Sequence, residues 1–287
     1  MLHGMLGLGL IKSTIMGVVQ GLSEFLPISS SGHLVFTSNI VKLITRSDFQ
    51  GQTNYDIVLS MMLHIGTLLA VFIFFWKDIS EIIRAFFVGC KTRNFEDYNS
   101  KLGLYIIFGT VITTVVALFL NDTAERLMER PDVVGMLLII TGVVLLGSEK
   151  YSKEIPDKEH QVSKKTAIIM SLAQGIAVLP GFSRSGWTIA AGLFSKSERL
   201  DCARFSFLMS IPIILGASVI YPLTEINLSE LISYNWFNII VGTIVSAVVG
   251  YICIKYFLKF LSKYSLSVFG YYCIAVGFLA CVLFSVF

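Results

Sequence analysis

At residues 20–32 the chain reads QGLSEFLPISSSG, and at 174–186 it reads QGIAVLPGFSRSG. The two stretches align without a gap. Gln20 faces Gln174, Gly21 faces Gly175, Ser29 faces Ser183, Ser31 faces Ser185 and Gly32 faces Gly186. Each interrupts an apolar region, Leu6–Leu43 in one case and Ala167–Phe194 in the other. The breaks fall at Gly21–His33 and Gly175–Gly186, and neither half of either region is long enough to cross a bilayer comfortably. A polar interruption of this kind signals a broken helix or re-entrant hairpin. It is tolerated at membrane depth only where protein buries it or a polar cavity receives it.

The rest of the chain sets this reading in a membrane. Of 287 residues, 55% are hydrophobic and 14% charged, against about a quarter charged in soluble domains. Mean hydropathy is +0.76. Disordered, collagen-like and ordinary soluble chains are excluded. A helix needs about 20 apolar residues to cross the hydrocarbon. Uninterrupted candidates are Ile57–Trp76, Leu104–Leu120, Val133–Ser148, Phe205–Leu223, Phe237–Ile254 and Leu266–Phe287, the third being short. The N-terminal stretch has no basic leader and no small-residue cleavage site, so no cleaved signal peptide is expected. The five cysteines show neither CxxC nor metal-type spacing and read as packing or lipid-facing thiols.

Lysine and arginine then fix orientation. Segments 77–103, 149–165, 196–204 and 255–265 hold 16 of the 22 basic residues and belong in the cytoplasm. Segments 121–132, with two, and 224–236, with none, belong outside. The first broken region must then enter and leave from outside, the second from the cytoplasm. The expected fold is an all-α polytopic membrane protein with an inverted-topology repeat. Each half is a re-entrant helical hairpin plus three transmembrane helices. The chain 1–287 is one integral membrane domain. Repeat one covers about 1–148 and repeat two about 166–287, joined by a cytoplasmic loop at about 149–165.

Each break carries serines suited to cap a second half-helix, Ser29–Ser31 before His33–Leu43 and Ser183–Ser185 before Trp187–Phe194. Two helix N-termini brought together make an anion pocket. Close packing by small residues explains the serines and glycines, but not the ionisable groups Glu24, His33 and Arg184. These are one-sided: Glu24 faces Val178, Ser30 faces Arg184 and His33 faces Trp187. Arg184 suits bidentate phosphate binding. Glu24 suits a divalent metal or a base. Ser30 or a metal-held water is the candidate nucleophile. His33 is a candidate to activate the nucleophile or protonate the leaving group. His64, within an apolar span, reads as a packing or hydrogen-bonding residue.

These stretches resemble a known family. QGLSE (20–24) fits an (E/Q)xxxE motif and is followed by FLPISSSGHL (25–34), while PGFSRSGWT (180–188) fits PGxSRSxxT at every fixed position. Both motifs resemble those of the bacterial undecaprenyl-diphosphate phosphatase, or bacitracin-resistance, family. YDIVLSMMLHIGTLLAV (55–71) and RFSFLMSIPIILGA (204–217) are similar to family segments too. The resemblance implies hydrolysis of undecaprenyl diphosphate to undecaprenyl phosphate and inorganic phosphate, recycling the lipid carrier of cell-wall synthesis. It implies a divalent cation, Mg or Ca, held by Glu24 and Gln20. It implies catalytic Glu24, Ser30, His33 and Arg184, with Gln20, Ser29, Ser31, Ser183, Ser185 and Thr188 binding substrate. The expected setting is the bacterial cytoplasmic membrane, with both termini and the active site on the periplasmic or outer side. No nucleic-acid partner is expected, and a second copy of the chain is a candidate partner. Gln20 stands where many members have Glu, and Ser31 where Thr is common. The alternative function is a lipid-phosphate flippase or secondary transporter, since inverted repeats with opposed hairpins are a transporter design. A purely structural subunit leaves the intramembrane charges unexplained.

Overall fold

Each of the six uninterrupted apolar runs coincides with a long helix in the computed structural model, which describes residues 2–45, 54–153, 161–225 and 228–285; Val286 and Phe287, the end of the sixth run, lie outside the described residues. Among the described residues there are twelve helices and no strand. In chain order they are α1 (Leu2–Ser23), α2 (Ser30–Thr45), α3 (Asn54–Phe74), α4 (Trp76–Thr92), α5 (Tyr98–Met128) and α6 (Pro131–Lys153). They continue as α7 (Lys164–Ile176), α8 (Arg184–Phe194), α9 (Arg199–Glu225), α10 (Leu228–Ser233), α11 (Trp236–Leu261) and α12 (Ser267–Phe284). Helices α3, α5, α6, α9, α11 and α12 are long and apolar enough to cross a membrane. The chain is a multi-pass helical membrane protein. Residues 154–160 of the expected cytoplasmic loop lie outside the described residues.

Both interruptions fall where small and polar residues break the apolar runs. Helix α1 ends at Ser23 and α2 starts at Ser30; α7 ends at Ile176 and α8 starts at Arg184. Two length expectations are corrected. Helix α1 runs for 22 residues because its pattern continues back to Leu2, which at 1.5 Å per residue is about 33 Å, a full crossing length. The shorter α7, at 13 residues, keeps the expected half-span length. The third span is not short, since α6 runs for 23 residues, past Ser148. Hydropathy stopped at Glu149, but that carboxylate is buried and neutralised inside the bundle. Arg199 donates to its two oxygens at 2.8 and 2.7 Å, and the Leu266 N–H donates at 2.8 Å. Within the basic segment 77–103 the chain forms α4, whose Ile79, Ile82 and Gly89 are buried while Lys77, Glu81, Arg84 and Lys91 are exposed.

Helix α1 lies along α11, α11 along α3, α3 against α9, α9 against α5, and α5 along α7. Helix α6 packs along α12 and against α8. In lipid the hydrophobic effect does not hold helices together, so close backbone approach must. A Cβ on Gly142 of α6 would come within 2.6 Å of the Gly270 carbonyl of α12. Where the chain turns inside the bundle, aromatic rings seat it. Phe25, in the first break, is fully buried and meets Phe207 of α9 edge-on at 5.3 Å.

The second break is fixed from α6. Thr141, fully buried, donates to the Gly181 carbonyl (3.2 Å) and accepts from Trp187 Nε1 (3.1 Å) and the Ser183 N–H (3.4 Å). Gly181 has φ +96°, and a Cβ there would collide with the Val134 carbonyl. Gly181→Ala is therefore expected to lower the thermal midpoint of the purified protein. The left-handed conformation alone costs about 1–2 kcal/mol, and the collision adds to it; an unchanged midpoint would show that this turn has another conformation available.

Candidate active site

Local backbone chemistry builds the two helix starts in the same way. Ser29 Oγ accepts from the Gly32 N–H at 3.2 Å, and Ser183 Oγ accepts from the Gly186 N–H at 3.1 Å. These are N-caps at equivalent positions of the two breaks, and each satisfies one of the otherwise free amides of a helix start. In both, the capping hydroxyl also meets a second serine at 3.3 Å, Ser31 in one and Ser185 in the other. Ser29 achieves this at φ +70°, a left-handed conformation that non-glycine residues adopt at a cost.

The breaks are bonded to each other. Ser185 Oγ donates to the Leu26 carbonyl at 3.0 Å, and Ser29 Oγ reaches the Phe182 carbonyl at 3.4 Å. A Cβ on Gly186 would lie 3.3 Å from Cβ of Pro27. This contact brings Glu24, just past the end of α1, to Arg184, at the start of α8.

Glu24 is the centre. Its side chain is 5% exposed, and that of Arg184 is 16% exposed. Arg184 Nη2 donates to Glu24 Oε1 at 2.5 Å. On the other oxygen, Ser30 Oγ donates at 2.7 Å and Gln20 Nε2 at 2.9 Å. Gln20 sits one turn before Glu24, and its own Oε1 is buried with no hydrogen-bond partner. Arg184 is steadied by Nη1 on the Ser206 carbonyl at 3.5 Å. Thr188 accepts or donates at 2.6 Å with Ser206 Oγ and donates to the Arg184 carbonyl at 2.8 Å. Its hydroxyl thus pins α8 to α9 behind the arginine.

His33 is placed on another face of α2. Its Nδ1 donates to the Ser29 carbonyl at 2.8 Å, which leaves Nε2 to accept from the Tyr272 hydroxyl at 2.8 Å. The two rings stack at 5.7 Å with 9° between their planes. The histidine beside the carboxylate is instead His64 of α3. Its Nε2 is 3.7 Å from Glu24 Oε2, and its Nδ1 donates to the Ser60 carbonyl at 2.8 Å. The LHIGT run around it carries two polar side chains, the imidazole and the Thr67 hydroxyl, which donates to the His64 carbonyl at 2.9 Å. Thr141 and Tyr272 are other contributors outside the quoted motifs, and Ser206 lies within the stretch 204–217, where no role was assigned to it; each is a polar residue in a largely apolar helix.

A divalent cation can be tested against these donors. Among the described residues no three His, Cys, Asp or Glu side chains form a closed cage. The donors at hand are one carboxylate, a hydroxyl and an amide whose buried oxygen is unpaired. A hard cation such as Mg accepts one or two carboxylates and completes its shell with water and phosphate oxygens. The residues fit an open site of that kind.

A bundle of membrane-crossing helices, with a carboxylate, a guanidinium and a serine hydroxyl joined where two polar breaks meet, defines a polytopic membrane protein with a buried charged centre. A family model described as bacitracin resistance protein BacA matches residues 13–279. The undecaprenyl-diphosphatase of Halothermothrix orenii is 37% identical over 281 residues, covering 97% of this chain and 99% of that protein. That of Methanosphaera stadtmanae is 37% identical over 287 residues, covering 96% and 98%. That of Mycolicibacterium smegmatis is 36% identical over 269 residues, covering 93% and 94%. The chain belongs to the BacA family of bacitracin resistance proteins.

Proposed function

We propose that this protein is a membrane phosphatase that hydrolyses undecaprenyl diphosphate to undecaprenyl phosphate and inorganic phosphate. The observation that carries the reading is the junction of Arg184, Glu24 and Ser30 between two capped helix starts. A diphosphate headgroup would meet the guanidinium and the free amides of both helix starts, while its chain stays in lipid. Ser30, held on Glu24, is the favoured nucleophile. Its Oγ attacks the terminal phosphorus, its proton passes to Glu24, and the phosphoanhydride bond breaks to release undecaprenyl phosphate. Water then cleaves the phosphoserine, regenerates Ser30 and frees inorganic phosphate. Gln20 and Glu24 would hold the divalent cation, Mg or Ca, which supplies neutralisation of the headgroup charge. His33 sets the start of α2 through Ser29, and Ser29, Ser31, Ser183, Ser185 and Thr188 shape the pocket. Ser30→Ala is expected to reduce phosphate release at least about 100-fold. Retention of full activity would remove the seryl route and leave attack by water.

The finer architecture belongs to the same proposal: one membrane domain with repeats at about 1–148 and 166–287, inverted relative to each other. It is supported by the matched caps and by the packing. The α1–α11 contact becomes the α7–α5 contact when the halves are exchanged, and α3–α11 becomes α9–α5. The distribution of basic residues supports both termini facing outward, and the family resemblance supports a bacterial cytoplasmic membrane setting with the site on that same side. The flippase or transporter reading is not favoured, since the relatives carry the name of a hydrolase. Purified protein in vesicles separates the two. Given undecaprenyl diphosphate and Mg or Ca, it should release phosphate; lipid movement with no phosphate release would overturn the proposal.

A further inference from the structure

His64 has no part in the chemistry above, yet α3 holds it against the carboxylate. A carbonyl oxygen can only accept, so the bond from Nδ1 to Ser60 puts the ring proton on Nδ1. In the neutral ring, Nε2 then carries its lone pair toward Glu24 Oε2. The 3.7 Å between them exceeds a hydrogen bond. Two electron-pair donors therefore face each other across a gap, the carboxylate buried and the imidazole partly exposed. A histidine whose far nitrogen is tied to a backbone carbonyl is also the usual form of a metal-binding histidine. The unpaired Gln20 Oε1 lies one turn before the same carboxylate; rotating the amide exchanges it with the nitrogen now on Glu24. Arg184 already compensates the charge of Glu24. A dication in the gap would thus give the centre net positive charge, as a diphosphate requires.

We infer that His64 is a direct nitrogen ligand of the divalent cation, joining Glu24 and Gln20. This rests on the reading of Glu24 as a cation-holding residue. The consequence is selectivity. Calcium and magnesium prefer all-oxygen shells, whereas an imidazole raises affinity for transition-metal dications. The site should bind Mn²⁺ more tightly than Ca²⁺, and His64→Gln should lose that preference.

The test is pulsed electron paramagnetic resonance on Mn²⁺ bound to the purified full-length protein, with Mn²⁺ affinity measured alongside. Wild type should show nitrogen modulation from a coordinated imidazole. His33→Gln should keep it. His64→Gln should lose it and bind Mn²⁺ about tenfold more weakly or worse. Glu24→Gln should abolish binding. Bound Mn²⁺ without nitrogen modulation in wild type, with binding still lost in Glu24→Gln, overturns the His64 assignment alone and makes the ring an imidazolium partner of Glu24. Absent Mn²⁺ binding, or binding that survives Glu24→Gln unchanged, overturns the cation centre itself. A wild-type spectrum without nitrogen modulation overturns the assignment whether or not the variants fold, and a modulation that His33→Gln keeps and His64→Gln loses assigns it to His64.

Discussion

Arg184→Ala should lower the turnover of undecaprenyl diphosphate by about 10²–10³-fold, the usual loss when one preorganised electrostatic donor is removed. The same change should also destabilise the protein. Glu24 is 6% exposed, and without the guanidinium it keeps the hydrogen bonds of the Ser30 hydroxyl and the Gln20 amide, with His64 Nε2 3.7 Å away. Breaking a buried pair by removing one partner costs about 3–5 kcal/mol. Arg184→Lys should recover part of the stability through its charge and little of the rate, because an ammonium lacks the fork that holds Glu24 and the Ser206 carbonyl together. Thermal unfolding followed beside phosphate release reads both effects. A variant as stable and as active as wild type would show that Arg184 neither binds phosphate nor balances Glu24.

The second large effect should fall on stability alone. Glu149 is 1% exposed and accepts from Arg199 Nε and Nη2 and from the Leu266 N–H. Arg199 also reaches the Leu261 carbonyl at 3.4 Å. One ion pair thus fastens the end of α6 to the start of α9 and to the connection between α11 and α12. Arg199→Ala leaves the carboxylate buried with one backbone donor, a loss of about 3–5 kcal/mol. The fraction that remains folded should hydrolyse substrate at the wild-type rate per molecule, since none of these groups touches Glu24. A normal melting curve for Arg199→Ala would contradict this account of the clamp.

The contrast between these two pairs shows what was legible in the sequence. Glu24 and Arg184 were readable because each stands in a Gly-, Pro- and Ser-rich break where a charge has no bland explanation. The breaks themselves, the serine caps and the six spans were readable for the same reason: they are local patterns of hydropathy and small residues. Glu149 and Arg199 were hidden because each lies in a basic segment and looks like a loop charge. Their burial depends on helices 50 residues apart meeting. His64 was legible as a packing or hydrogen-bonding residue, and it does bond the Ser60 carbonyl, but its place beside Glu24 was not. Only the packing of α3 against the first break tells which face it is on. His33 carries the stronger motif signal, yet the turn of α2 directs it to Tyr272. Helix α4 escaped because its charges were counted for orientation, while its buried Ile79 and Ile82 recur at helical spacing.

The central claim is that the Glu24–Arg184 pair is a chemical centre and not merely a structural ion pair. The double variant Glu24→Gln with Arg184→Met separates the two, because replacing both partners avoids leaving a buried charge unpaired. Inorganic phosphate released from undecaprenyl diphosphate, with Mg or Ca present, is the measurement. It should be made on double variant and wild type with matching thermal unfolding curves. The expected result is a folded protein whose phosphate release falls by at least about 10²-fold. Release at the wild-type rate from that folded double variant would contradict the account and move the chemistry elsewhere in the molecule.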